Sequence, residues 1–335
     1  MPVNATPVPL VSILLPVFNA EKFLEKAVRS LLEQSFREFE IIAMDDGSTD
    51  GSVEILRRLS DPRIRIERNG RNLGLIETLN RGVSLCRGEF IARMDADDVA
   101  APTRIEKQYN YLKANPQCIL VGSGRIGIDD LDRPVSSFNR PATGSALIRW
   151  KLLTGNFITH PTVMLRKSAL PPQLFDDKYK HAEDYAAWLL LSSLGDIEIL
   201  PEKLLQYRFH GQSVSHQNKM AQVRSAMKAL ADHLERLHGV AFEFNSLALW
   251  SAPQDAAHLE KSGDFFTLLR WMNPLRAPFR RDLRGAVLFK AFGHYHRRLA
   301  LLLISHRRRI DLALPVVGAM LLSIFPGFRS GQVIR

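Results

Sequence analysis

Cysteine is nearly absent: two in 335 residues, Cys86 and Cys118, neither in a CxxC pair. That excludes a disulfide-framed secreted scaffold and points to a reducing, cytoplasmic setting. The opening MPVNATPVPL has no basic n-region and no long apolar core, so a signal peptide is not expected. No GxxxxGK[ST] occurs, which rules out a P-loop. Long apolar runs are lacking too. The 17-residue uncharged stretch Leu312–Phe328 carries Pro315 and Pro326, and it falls short of the roughly 20 residues a spanning helix needs. There are no internal repeats and no low-complexity tracts. Acids are scarce at one end only. From Thr267 to Arg335 thirteen Lys/Arg face two acids, Asp282 and Asp311, so the overall charge of +10 belongs to the tail and the rest of the chain is close to neutral.

What is present is a regular alternation. Val11–Val17 is an apolar, β-leaning run, Phe39–Met44 reads as a second strand, Arg63–Glu67 as a short third and Glu89–Met94 as a fourth. Between them Ala20–Gln34, Val53–Leu59 and Ile76–Leu85 repeat apolar residues at helical spacing, with Asn19 placed to cap the first. Strand and helix alternating at short spacing imply an α/β fold with a mostly parallel central sheet covered on both faces. Further on, Thr103–Ala114 and Tyr185–Leu194 read as helices. Cys118–Val121, His160–Leu165, Ile197–Leu200 and Gln206–His210 read as strands. From Ala221 the pattern is helical, which gives two expected regions, 1–220 and a basic helical 221–335.

The densest chemistry lies in EFIARMDADDV. Asp95, Asp97 and Asp98 crowd the end of an apolar strand, where like charges repel unless a cation joins them. The i, i+2 spacing sends Asp95 and Asp97 to one side of an extended segment. Hard cations take such oxygens, so the pair is a candidate grip for Mg²⁺ or Mn²⁺ on a diphosphate. Asp98 reads instead as a cap for the helix that follows. Leu15-Pro16-Val17-Phe18-Asn19 and Met44-Asp45-Asp46-Gly47 end two other strands, and the carboxyl edge of an open α/β sheet is where ligands bind. There an aromatic can cover a base and a carboxylate can accept from one, although a core Phe18 and an Asp46-Gly47 turn are the plainer alternatives. Glu183-Asp184 precede an apolar helix, either as acids favoured by the helix dipole or with one of them a general base. Arg208 is placed to meet phosphate or an acid, His210 matters only if the fold returns it to the acids, and His160 and His181 read as structural. Gly122-Ser-Gly124-Arg-Ile-Gly127 matches GxGxxG, but turn residues follow it rather than a helix, so no dinucleotide site is expected.

Together the blocks VSILLPVFNAEKFLEKAVRSLLEQSF, MDDGSTDGS, RNLGLIETLNRG, GEFIARMDADD, HPTVMLRKSAL, AEDYAAWLLL and YRFHGQSVS, in that order over residues 9–218, resemble the family 2 glycosyltransferases, inverting enzymes of GT-A fold. The resemblance implies a nucleotide-sugar donor, a UDP-sugar, contacted at the nucleoside by Pro16 and Phe18 and at the uracil edge by Asp46. It implies Asp95 and Asp97 as the DxD that holds a divalent metal and the diphosphate, His210 as a late metal contact, and Asp184 as catalytic base. The acceptor would be a glycan or a lipid-linked sugar.

For the basic tail, with Arg280-Arg281, Arg297-Arg298 and Arg307-Arg308-Arg309, the expectation is peripheral attachment to an anionic inner-membrane surface. A helical domain packed on the catalytic one is the alternative. No nucleic-acid module is recognisable. A nucleotidyltransferase would want a Gly-rich, Arg-containing loop after the first strand, which LPVFN is not. A non-catalytic binding module would have no need of both the DxD and Asp184.

Overall fold

A computed structural model of the chain describes residues 8–138, 144–153, 155–209 and 219–238. The chain divides into two units, Met1–His233 and Leu234–Arg335, and the elements below form the first. In order they are β1 (Val11–Val17), α1 (Glu21–Leu32), β2 (Phe39–Asp45), α2 (Ser52–Leu59), β3 (Ile64–Arg68), α3 (Leu75–Leu85), β4 (Phe90–Arg93), β5 (Val99–Ala100) and α4 (Arg104–Ala114). There follow β6 (Cys118–Ile128), β7 (Pro134–Phe138), α5 (Ser145–Leu152), β8 (Met164–Arg166), α6 (Glu183–Ser192), β9 (Asp196–Arg208) and α7 (Lys219–His238), the last of which begins in this unit.

One sheet runs β3-β2-β1-β4-β8-β6-β9-β5, with β7 added beside β6. The first four strands are mutually parallel, and so are β6 and β9, whereas β5, β7 and β8 pair antiparallel. Odd-numbered β1 residues (Val11, Ile13, Leu15, Val17) share a core with Leu24, Ala27, Val28 and Leu31 of α1. Each of the larger of these contributes about 1.5–3 kcal/mol on burial, against a few tenths for the Glu25–Arg29 pair on the outer face of the helix. Even-numbered Leu14 faces the other way and meets Gly82 of α3 so closely that a Cβ there would lie 2.2 Å from Leu14 Cδ1. Helices therefore cover both faces, as the alternation implies.

The crevice opens between β1 and β4. Their register ends at Leu14↔Arg93, with one further bond from Met94 N–H to Leu14 O. β1 continues to Val17 beside β2. Pro16, which has no N–H to donate, falls where β4 has already left the ladder. The strand order reverses direction at this point, which is where open α/β sheets bind ligands.

Several expectations are corrected. His160–Leu165 is not one strand: a 3₁₀ turn at His160–Thr162 precedes β8, because Pro161 fixes φ and lacks a donor. The two late strands are one, β9, whose register with β6 jumps from Ser123↔Leu200 to Gly124↔Lys203. That irregularity absorbs Pro201. Gly122–Gly127 lies inside β6, and Gly124 lets the Glu202 carbonyl of β9 approach closely. Asn19 does not cap α1. It adopts φ 48° and accepts from Thr49 N–H at 2.9 Å. The first helical donors go to Ser52 Oγ (from Ala20 N–H, 2.9 Å) and Asp50 Oδ2 (from Glu21 N–H, 3.0 Å).

Candidate active site

Three strand ends deliver the expected residues to one edge. β1 presents Pro16, half-buried, and then Phe18, which is 48% exposed. An apolar ring left this open at a crevice is available to a planar ligand. β2 presents Asp45 and Asp46. Asp45 is buried and pairs with Arg68 Nε at 3.0 Å. Asp46 is buried and accepts from Asn69 Nδ2 (2.8 Å), Leu73 N–H (2.8 Å) and Gly74 N–H (2.9 Å). Its carboxylate thus organises the loop 69–74, with one acceptor direction left of the roughly four a carboxylate offers. Gly47 makes this possible. It has φ +76°, and a Cβ there would stand 2.8 Å from the backbone of Arg71 and Asn72.

β4 delivers the acids. One carboxylate oxygen from each of Asp95, Asp97 and Asp98 lies within 4.8 Å of the others. Hard oxygens at this separation suit Mg²⁺ or Mn²⁺ with water and phosphate completing the shell, so the residues fit the metal that the DxD implies. Asp98 is not a helix cap. α4 begins six residues later, and Asp98 is buried, accepting from Arg208 N–H at 2.9 Å. The cause is β5, which turns the chain at Val99 to pair with Gln206 of β9. Burial, then repulsion from Asp95 and Asp97, pushes the Asp98 carboxyl well above the usual range, and burial likewise raises Asp95.

Arg208 meets acid rather than open solvent. It is buried, and its guanidinium donates to Asp97 O (2.8 Å), Asp129 O (2.7 Å) and Asp132 Oδ1 (2.7 Å) while lying over the Phe23 ring. It locks the acid loop to the end of β9. The Tyr207 hydroxyl beside it is pushed up to about 12 by burial and then by Asp95, Asp98 and Asp97. His210, two residues after Arg208, lies outside the described residues.

Asp184 stands in the first turn of α6, half-buried. Asn156 Nδ2 donates to its Oδ2 at 2.8 Å. Burial, then the neighbouring Glu183 charge, raises its carboxyl to about 6. Glu183 is buried and raised as well, by burial first. The link between this pair and the acid loop is Arg93, the last residue of β4. It is 4% exposed, and Nη1 lies 2.5 Å from Asp95 Oδ2. Its charge reaches Asp97, Asp98, Glu183 and Asp184 as well, and Glu183 in turn feels Asp95. The DxD and the Glu183-Asp184 pair therefore lie within electrostatic reach of the same buried arginine. Asp46 shares their edge from two strands away, about 10 Å at ordinary strand spacing.

Sequence reasoning passed over Arg93 and Asn156. The signal for Arg93 was an arginine inside an otherwise apolar strand, which needs a buried partner. Asn156 lies in an irregular stretch that carries no periodic signal.

Comparison with known proteins places these residues in a lineage. The profile of Glycosyl transferase family 2 matches residues 12–171. An uncharacterized glycosyltransferase of Haemophilus influenzae is 33% identical over 68% of this chain and 73% of its own length. The O-antigen biosynthesis glycosyltransferase WbnJ of Escherichia coli is 30% identical over 68% of this chain and 90% of its own. The crystal structure of S. aureus TarS 1–349 in complex with UDP-GlcNAc superposes with a TM-score of 0.58. It is 17% identical and covers 97% of this chain and 94% of that one.

Proposed function

The chain belongs to glycosyl transferase family 2, and from that premise we propose that it moves a sugar from a UDP-sugar to a hydroxyl of a glycan or lipid-linked acceptor, inverting the anomeric centre. The observation that carries this reading is the Asp95-Asp97-Asp98 cluster at the end of β4, which shares the charge of buried Arg93 with the Glu183-Asp184 pair. A UDP donor is supported by the UDP-GlcNAc held by the TarS structure, and a polysaccharide-type acceptor by the O-antigen role in the name of WbnJ.

Asp184 takes the proton of the acceptor hydroxyl as its oxygen attacks the anomeric carbon and the bond to the diphosphate breaks. A carboxylate with a proton affinity near 6 is ionised at neutral pH yet more basic than an ordinary aspartate, which is the compromise a general base needs. Asn156 holds one of its oxygens and so fixes which lone pairs face the acceptor. Phe18 covers the nucleobase. Asp46 holds the adjoining loop 69–74 and offers its remaining acceptor direction to the base. Asp95 and Asp97 would hold Mn²⁺ or Mg²⁺, and the family resemblance assigns His210, outside the described residues, as a further ligand. When bound there the metal supplies positive charge to the departing diphosphate, an electrostatic and Lewis-acid contribution.

Among the described residues no helix is long and apolar enough to cross a membrane. The basic tail from Thr267 supports peripheral attachment on the cytoplasmic face of an anionic membrane, where a lipid-linked acceptor is found.

A panel of nucleotide sugars with Mn²⁺ or Mg²⁺, scored for nucleotide release, tests the donor class: release from UDP-sugars is expected, and release from none of the panel overturns the reading. Asp184→Asn should lower transfer by about 10²–10⁴-fold, the usual contribution of a general base, while UDP binding measured calorimetrically is retained. Transfer near the wild-type rate would remove Asp184 from the mechanism.

A further inference from the structure

Arg93 has no step in the reaction above, yet it is the most conspicuous charge in the site. Its charge acts both on the acid loop and on the first turn of α6. A guanidinium this buried costs several kcal/mol unless it is paired and hydrogen-bonded. Its pairing is partial: Nη1 stands 2.5 Å from Asp95 Oδ2 as an ion pair, but neither Nη1 nor Nε makes an aligned hydrogen bond among the described residues. One oxygen of Asp95, a member of the acid cluster, is therefore already held by a cation. Arg104, also fully buried, donates to the Arg93 carbonyl at 2.6 Å and to Gln108 at 3.1 Å, so the backbone at Arg93 is anchored independently of the guanidinium. The side chain is the part left under-satisfied, with a second set of carboxylates, Glu183 and Asp184, within reach of its charge.

We infer that Arg93 is a resident counter-ion of Asp95: a divalent cation binds by displacing the guanidinium, which then turns toward Glu183 and Asp184. This rests on the reading of Asp95 and Asp97 as the metal grip. In the resting protein Arg93 keeps the crowded acids from repelling one another. On loading, the same charge moves to the carboxylate pair that carries the base. Metal and donor arrival is thereby coupled to the state of the base without any large movement of the chain.

The test is a titration with Mn²⁺ alone, without nucleotide, followed by electron paramagnetic resonance of free Mn²⁺. It compares the full-length protein with its Arg93→Met, Arg93→Lys and Asp97→Ala variants. Removing a charge a few ångströms from the ion should tighten Mn²⁺ about tenfold or more in Arg93→Met, by Coulomb's law at the effective dielectric of a protein site. Arg93→Lys, which keeps the charge, should stay near wild type, and Asp97→Ala should lose the ion. If wild type binds Mn²⁺ and Asp97→Ala does not, but Arg93→Met binds no tighter, the displacement is refuted while the metal grip stands. If no variant binds Mn²⁺, the metal grip itself fails, and the inference with it. Because Arg93→Met removes a buried charge and can cost the fold, a second measurement uses the unmutated chain. The Arg93 Nε–H resonance, assigned by its absence in Arg93→Lys, should shift as Mg²⁺ saturates the site. A resonance that stays in place at saturation overturns the inference.

Discussion

Three influences act on Asp184, and mutation can separate two of them. Burial raises its proton affinity, and so does the charge of Glu183, while the bond from Asn156 lowers it. A base must be ionised to work, so the maximal transfer rate should fall as pH drops through about 6. Glu183→Gln removes the neighbouring negative charge and should move that limb to lower pH. A pH profile of kcat checks both, and an unmoved limb would show that Glu183 does not act on the base. The DxD was legible because acids at i, i+2 on a strand end repel each other and so call for a cation. Asp98 and Arg93 were not. What decides their roles is the return of β9 and α6 from far along the chain, and local spacing holds no trace of that. Asp46 was legible as a carboxylate at a strand end, but its work on the loop 69–74 depends on three donors that only the folded loop supplies.

Among the elements, the four parallel strands and the helices between them could be read in the sequence, because an apolar run of strand length and a 3.6-residue stripe are local properties. β5 could not: two residues make a strand only because β9 arrives beside them. Nor could the unity of β9, since Pro201 breaks the pattern that the sheet then tolerates as an irregularity. The β2–α2 turn is the most sensitive joint. Gly47→Ala would place a side chain in the left-handed region and against the backbone of Arg71 and Asn72. It should cost about 1–3 kcal/mol, the scale of strained backbone at functional sites, in a urea melt. UDP binding should weaken more than stability does, because the loop that Asp46 holds must shift. Equal UDP affinity would separate that loop from the donor site.

At the scale of the whole molecule, charge is divided along the chain, near neutral up to Phe266 and basic from Thr267 onward. A chain ended near residue 265, beyond the last described helix, should keep nucleotide release and lose co-sedimentation with anionic vesicles, whereas the full chain keeps both. Equal sedimentation would confine the tail to another role. The way α1 begins has a consequence for how the molecule comes together. Its opening amides are satisfied by Asp50 and Ser52, some thirty positions ahead in the sequence, and not by a neighbour. The helix cannot close its own end as a local event, so β1, α1, β2 and the start of α2 must become ordered as a single cooperative unit. In native-state hydrogen exchange the Ala20 amide should open together with the β2 ladder, and Ser52→Ala should strip its protection without touching a residue of α1.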